Sequence, residues 1–299
     1  DFWDRDLTTE DDEFDEEKAV EGAKTTDIEL GDLLILGKHK LLCSDCTDSD
    51  ALKALFGDER TSMIYSDPPF NTKLDYDKGV GLRANYGGDV DDDKSPEQYK
   101  GFVRQTLEAA LSVATKNTHL FYWADEAWVW VTQILYNELG IKNRRLNIWL
   151  KNNASPTPNV AFNKVTEMCI YGTLGSPYLS KQVLDATGVM NKELGTGNQL
   201  LEDLSNVWSA KRLSASQYQH PTSKPPSLHE KAIKRCTEPN DIILDSFAGS
   251  GSTLIAAESL NRRVYTIEQN PIFCEVVRRR YEKLTGNKVE IIKGFYEKG

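Results

Sequence analysis

The run Asp245-Ser246-Phe247-Ala248-Gly249-Ser250-Gly251-Ser252-Thr253 constrains this chain more than any other. It follows a short β-forming stretch, residues 242–244, and opens a helical one, residues 253–260. A second β-forming stretch, residues 264–267, ends at Glu268. Strand, glycine turn, helix and strand make a βαβ unit, and such units build parallel sheets covered by helices. The glycines let backbone approach a ligand closely, and the N–H groups of a helix start greet an anion. Glu268 lies 17 residues after Gly251, where a ribose-binding carboxylate belongs in a nucleotide-type unit. The dinucleotide pattern G-x-G-x-x-G fails, because Leu254 takes its third glycine position. No Gly-Lys-Ser/Thr follows for a phosphate loop. The plain alternative is a tight helix start without a ligand.

The rest of the chain repeats the alternation. Apolar, β-rich runs recur at residues 40–44, 62–65, 119–123, 146–150 and 168–171. Ser95-Pro96-Glu97-Gln98 offers an N-cap, a proline at the first helical position and a glutamine at the third. It predicts a helix from there to about residue 114. Residues 227–236 and 271–284 also read as helices. This pattern predicts an α/β fold with a largely parallel sheet covered on both faces. Residues 71–94, rich in Gly and Asp, read as a mobile loop and a candidate lid. Residues 174–219 have little periodicity and read as an inserted recognition segment.

Charge is concentrated. Residues 1–30 carry 13 Asp and Glu against Arg5, Lys18 and Lys24, a net of -10, which equals the charge of the whole chain. Residues 31–299 therefore balance at 33 of each sign, and the body is free to present a basic face to nucleic acid. Lys151, Lys164, Lys181, Lys192, Lys211 and Arg212 are candidate phosphate contacts. Residues 1–26 read as an acidic linker or tail, with order beginning near Asp27; a DNA-mimicking arm is the sharper alternative. No apolar stretch approaches the ~18 residues of a membrane span. Five scattered cysteines are no disulfide framework, and a reducing cytoplasm is the expected compartment. Cys43-Ser44-Asp45-Cys46 has no second pair at zinc spacing, so no metal is expected.

Three more clusters carry chemistry. Ser66-Asp67-Pro68-Pro69-Phe70-Asn71 directly follows a strand, and active sites of open α/β sheets lie at carboxyl strand ends. Two prolines stiffen the backbone, so a carboxylate, a fixed carbonyl and an aromatic ring share one small surface. Two acceptors and a stacking face suit a planar exocyclic amine on a base; the plain reading is a capped turn. His220-Pro221-Thr222-Ser223-Lys224-Pro225-Pro226 puts basic and hydroxyl groups before a helix, which suits a carboxylate. Asp45, at another strand end, offers an acceptor to an adenine amine.

Together these motifs resemble the S-adenosylmethionine-dependent DNA methyltransferases that methylate exocyclic amines. In that family Asp-Pro-Pro-Phe is the catalytic motif and Phe-x-Gly-x-Gly holds the methyl donor. The catalytic motif comes first here, which resembles the permuted β group. Residues 31–45 also resemble the opening of methylases that follow a ParB-like nuclease domain, and the acidic N-terminus would then be the linker from it. The resemblance implies a Rossmann-like fold with a mostly parallel seven-stranded sheet across residues 27–299. It implies that Asp67, the Pro68 carbonyl, Pro69 and Phe70 form the catalytic turn, with Phe70 stacking on a flipped base. Gly249, Gly251 and Phe247 would line the donor's methionine part, with Asp245 near its ammonium. Thr222 and Lys224 would meet its carboxylate, Glu268 its ribose, and Asp45 with Cys46 its adenine. DNA is the implied partner, with a homodimer plausible for the family. Asp67 in the first position leans towards adenine N6, with cytosine N4 the alternative. None of the five cysteines follows a proline, which disfavours C5-cytosine chemistry. A catalytically silent DNA-binding module is the alternative from another class, opposed by intact Asp67 and Phe70. An NAD-dependent oxidoreductase is opposed by Leu254.

Overall fold

The structure, a computed structural model, describes residues 9–12, 14–72, 92–155, 161–180, 205–210 and 224–297. In chain order the described elements are α1 (Glu16–Ala23), β1 (Leu33–Leu36), β2 (His39–Cys43), α2 (Ser49–Phe56), β3 (Thr61–Ser66), α3 (Pro96–Leu111), β4 (Ala114–Ala124) and α4 (Val129–Glu138). They continue with β5 (Lys142–Ser155), β6 (Lys164–Leu174), β7 (Val207–Ser209), α5 (Pro226–Cys236), β8 (Ile242–Asp245), α6 (Ser252–Ser259), β9 (Arg263–Glu268), α7 (Pro271–Thr285) and β10 (Glu290–Ile292). The capping box predicted at Ser95 is present, with Ser95 and Gln98 each accepting the other's backbone N–H.

One ten-stranded sheet runs in the order β10-β1-β2-β9-β8-β3-β4-β6-β5-β7. Its five neighbours β2-β9-β8-β3-β4 are parallel, while β1 and β6 run against their neighbours. The expected seven-stranded, mostly parallel sheet is thus corrected to a mixed sheet of ten. The extra strands sit at the edges. β1 and β2 are joined by the two residues Gly37 and Lys38, with Gly37 at φ 61°. Such a turn can only make an antiparallel hairpin. β7 and β10 have three residues each, too short to leave a periodic signal.

Period-two alternation sends each central strand's side chains to two cores. Met63, Tyr65, Phe121, Trp123 and Ile243 pack with α5, α6 and α7 on one face. Ile64, Leu120, Tyr122 and Leu244 pack with α2, α3 and α4 on the other. Helices therefore cover both faces, as the alternation predicts.

The reading that order begins near Asp27 also gives way. Asp15 caps α1 through the Lys18 N–H, and Val20 and Ala23 pack on Val276 of α7. Asp12 pairs with Arg280 of α7 at 2.5 Å, and Asp11 accepts both the N–H and the hydroxyl of Ser227, each at 2.9 Å. The acidic segment is held because α5 has no side-chain cap of its own and its exposed N–H groups attract an anion. No helix among the described residues is long and apolar enough to cross a membrane.

Because the five central strands are parallel, their carboxyl ends share one edge. From β8 the chain passes through α6 to β9 on one side; from β3 it passes through α3 to β4 on the other. The crevice between β8 and β3 is therefore the topological switch point, where open α/β sheets place ligands.

Candidate active site

Two turns flank that crevice. The turn after β8 is braced by carboxylates. Asp245 accepts the Phe247 N–H at 3.0 Å. Glu268, ending β9, accepts the Gly249 N–H at 3.0 Å and the Asn270 N–H at 2.9 Å. Burial pushes Asp245 up to about 7, with the charges of Asp67 and Glu268 adding to it. Burial likewise raises Glu268 to about 7. The α6 N-terminus, with Gly251 at the cap position and φ 83°, has no side-chain cap. The two glycines differ. A Cβ on Gly249 meets nothing within 4 Å, whereas one on Gly251 meets Val277 at 3.1 Å. Gly249 opens space, and Gly251 lets α6 pack against α7.

Asp45 adjoins this turn through its neighbour, since Ser44 donates its N–H to the Glu268 carbonyl at 3.0 Å. The Asp45 carboxylate accepts the N–H and hydroxyl of Thr47, at 2.8 and 2.7 Å. Cys46 points into the core beside α2, and Cys43 into the opposite core. Burial holds the Cys46 thiol well above its usual pKa, with Asp45 and Glu268 adding. The C-x-x-C spacing thus brings no two thiols together. Among the described residues no cluster of three or more His, Cys, Asp or Glu could hold a metal.

The turn after β3 is Asp67-Pro68-Pro69-Phe70. Its far end is anchored: Asn71, at φ 55°, accepts the Lys94 N–H at 2.7 Å, and its own N–H goes to Asp92 at 2.7 Å. The Tyr99 hydroxyl donates to the Pro69 carbonyl at 3.3 Å, and the Trp128 indole to the Asn71 carbonyl at 3.2 Å. These bonds fasten both ends of the segment expected to be a lid, whose middle, residues 73–91, lies outside the described residues.

Lys224, 4% exposed, enters from before α5. Its ammonium is 2.5 Å from Asp67 Oδ2 and 3.4 Å from Glu167 Oε2 of β6. It lies 5.1 Å from the Phe70 ring centroid and 4.6 Å from that of Trp123. Glu167 Oε1 in turn meets Lys151 of β5 at 3.2 Å. Burial pulls the Lys224 pKa down, but Asp67 and Glu167 outweigh it and hold the ammonium above its usual value. Burial raises Glu167, but Lys224 and Lys151 outweigh it and hold the carboxyl below its usual range. Asp67 Oδ1 is buried without a hydrogen-bond partner among the described residues.

The sequence profile of the DNA methylase family matches residues 61–279, a span that holds both turns. This chain belongs to the N6/N4 DNA methylase family. The methylase is 28% identical over 246 residues to the Type II methyltransferase M2.DpnII of Streptococcus pneumoniae, covering 75% of this chain and 83% of that one. It is 26% identical over 238 residues to the Type II methyltransferase M2.MboI of Moraxella bovis, covering 77% and 84%. Among solved structures, the PvuII DNA methyltransferase (cytosine-N4-specific) matches with a TM-score of 0.57 at 17% identity, over 84% of this chain and 91% of that one. The complex of M1.HpyAVI with SAM matches with a TM-score of 0.54 at 16% identity, over 79% and 96%. At those identities the structural likeness speaks for the fold alone.

The methylase therefore brings Asp67, Pro68, Pro69, Phe70 and Lys224 together at one turn, and Asp245, Phe247, Gly249, Gly251 and Glu268 at the other. Thr222, Lys181, Lys192, Lys211, Arg212 and most of the expected recognition insertion lie outside the described residues. Lys151 and Lys164 are each ion-paired, to Glu167 and Asp125, and Lys151 is buried. Sequence reasoning missed His229, which bonds the Tyr65 hydroxyl at 2.9 Å and the Ser252 hydroxyl at 3.0 Å. Burial, with Lys224 and Arg280 nearby, drives its pKa down to about 3, so a neutral imidazole ties β3 to the start of α6. Glu167, like Asn152, falls in a less specific motif of the family to which the sequence reading gives no role.

Proposed function

We propose that this methylase transfers a methyl group from S-adenosyl-L-methionine to the exocyclic N6 amine of an adenine turned out of a DNA duplex. The observation that carries the reading is the pairing, across the switch point, of Asp67-Pro68-Pro69-Phe70 with a glycine turn braced by Glu268. The catalytic run precedes the glycine run in the chain, and we read that order as the permuted β-group arrangement.

S-adenosyl-L-methionine is the methyl donor, and the residues at the β8 turn fit it. Gly249 leaves open space beside its backbone. Two carboxyls there titrate near 7, so ionising them is resisted until a cation or hydroxyl donors arrive. In this reading Glu268 takes the ribose hydroxyls, Asp245 lies near the ammonium, and Phe247, Gly249 and Gly251 line the methionine part. Asp45 and Cys46 mark the adenine end and Thr222 the carboxylate; Lys224, expected there too, is engaged instead by Asp67 and Glu167. The bound donor supplies an electrophilic methyl on a positively charged sulfur.

The chain's own groups prepare the nucleophile. An exocyclic amine is weak because its lone pair is delocalised into the ring. Asp67 and the Pro68 carbonyl accept its two hydrogens, favour the pyramidal nitrogen and stabilise the positive charge that grows on it. As the N–C bond forms, the S–C bond breaks with its electron pair left on sulfur, and one amine proton passes to Asp67 and on to water. Phe70 gives the extruded base a face to stack on. Proline rigidity keeps these acceptors fixed, so little reorganisation is needed as charge develops.

The test is methyl transfer from labelled S-adenosyl-L-methionine to unmethylated genomic DNA, followed by nucleoside mass spectrometry. N6-methyladenine is expected. N4-methylcytosine would overturn the choice of base, and the absence of any methylated base would overturn the reading.

A further inference from the structure

Lys224 stands where the target amine has to go. Its ammonium lies on one oxygen of Asp67 and over the ring of Phe70, the acceptor and the stacking face that the proposed function gives to the base. It is buried, and a buried ammonium does not leave its carboxylate for nothing, because the unpaired charge is strongly disfavoured. A neutral amine brings weaker hydrogen bonds than an ammonium does. Asp67 Oδ1 has no partner among the described residues, but the ammonium stands 5.1 Å from the Phe70 ring centroid, on the face the base would stack on, so entry of the base needs a second resting place for Lys224.

Glu167 is that place. It lies two residues before Cys169 on β6, and Cys169 belongs to the core that also holds Tyr65 and Trp123, so period-two alternation aims Glu167 at the same face. Lys224 Nζ already stands 3.4 Å from Glu167 Oε2. Closing that gap to a charge-assisted bond of about 2.8 Å takes a shift of about 0.6 Å. Lys151, 3.2 Å from the other oxygen of Glu167, completes a buried alternation of Asp67, Lys224, Glu167 and Lys151. The four charges cancel whichever carboxylate Lys224 favours.

We propose that Glu167 is a positioning residue for methyl transfer, the carboxylate that retains the Lys224 ammonium when the target amine replaces it on Asp67. This rests on the function proposed above. Glu167 acts through Lys224 and touches neither donor nor base. Base entry then becomes the exchange of one N–H donor for another on Asp67. Lys151 competes with Lys224 for Glu167 and so tunes how readily the exchange occurs.

The test is steady-state methyl transfer with DNA and donor varied separately, on wild type and Glu167→Gln. The KM for DNA should rise about tenfold, with the KM for the donor within about twofold. Glu167→Asp should restore part of the loss. In a Lys224→Met background the effect of Glu167→Gln on the DNA KM should vanish, since the two residues then no longer act on one another. Lys151→Gln, which leaves Glu167 to Lys224 alone, should move the DNA KM the other way, down about threefold, and it decides the matter should Glu167→Gln fail to fold. An unchanged DNA KM in Glu167→Gln, persistence of its effect without Lys224, or a rise in Lys151→Gln would overturn the inference. Wild type that methylates while Glu167→Gln behaves alike sinks the inference alone; wild type that methylates nothing sinks the function beneath it as well.

Discussion

The turns after β8 and β3 face each other across one crevice, and they are held in different ways. At the β8 turn, Asp245 and Glu268 accept backbone N–H groups from Phe247, Gly249 and Asn270. Burial drives both carboxyls up to about 7, and the amides that orient them offset only part of that rise. At the β3 turn, Asp67 already holds the Lys224 ammonium at 2.5 Å. One half is braced by backbone N–H groups, the other by an ammonium. Under the proposed function the first is the donor side and the second the target side.

The sharpest way to break that contrast is at Gly249. Its missing Cβ faces open space at φ 49°, so Gly249→Val both strains the turn and fills the space. Donor affinity measured by calorimetry should fall about a hundredfold. Unchanged affinity would show that the donor lies elsewhere.

Proton linkage gives the next largest effect. Asp245 and Glu268 titrate near 7 in the folded chain, against about 4 for free carboxyls. The native state therefore binds these protons more tightly than the unfolded chain, and their contribution to stability falls as pH rises from about 4 to about 7. A cationic donor favours the ionised forms. Its affinity should fall about tenfold as pH is lowered from about 8 to about 6, read by titration calorimetry in two buffers. A flat profile would remove these carboxyls from the donor's surroundings.

Gly251 should separate from Gly249 in kind. Its φ of 83° and the 3.1 Å approach to Val277 make Gly251→Ala a stability variant, by about 1–2 kcal/mol in denaturant unfolding. Its donor affinity should suffer much less than that of Gly249→Val. The smallest effect is expected at the acidic N-terminus. Asp11→Ala removes the bonds to Ser227 at the start of α5 and should cost about 1 kcal/mol, as loss of a helix cap does.

What was legible in the sequence was local. Seven runs of β-formers marked β2, β3, β4, β5, β6, β8 and β9, and the capping residues of α3 stood within four positions of each other. The two motif turns could be placed at strand ends because each directly follows a β-rich run. The edge strands β7 and β10 were too short to register, and α2 and α4 carried weaker start signals than Ser95-Pro96. Lys224 was singled out for a carboxylate, but its carboxylate partner Asp67 is 157 residues away. Glu167 was legible only as part of a less specific motif of the family, with Asn152, to which no role was given. Pairings of that range depend on strand order, which periodicity does not encode. The acidic N-terminus misled for the same reason, since its partners Arg280 and Ser227 lie more than 200 residues on.

The measurement that tests the division between the two halves most directly is made on Asp67→Ala, with donor titration and methyl transfer to DNA run side by side. Donor affinity should stay within about threefold of wild type while transfer falls by about a thousandfold or more. Loss of donor binding together with transfer, or survival of transfer without the carboxylate, would contradict a crevice in which one turn holds the donor and the other prepares the amine.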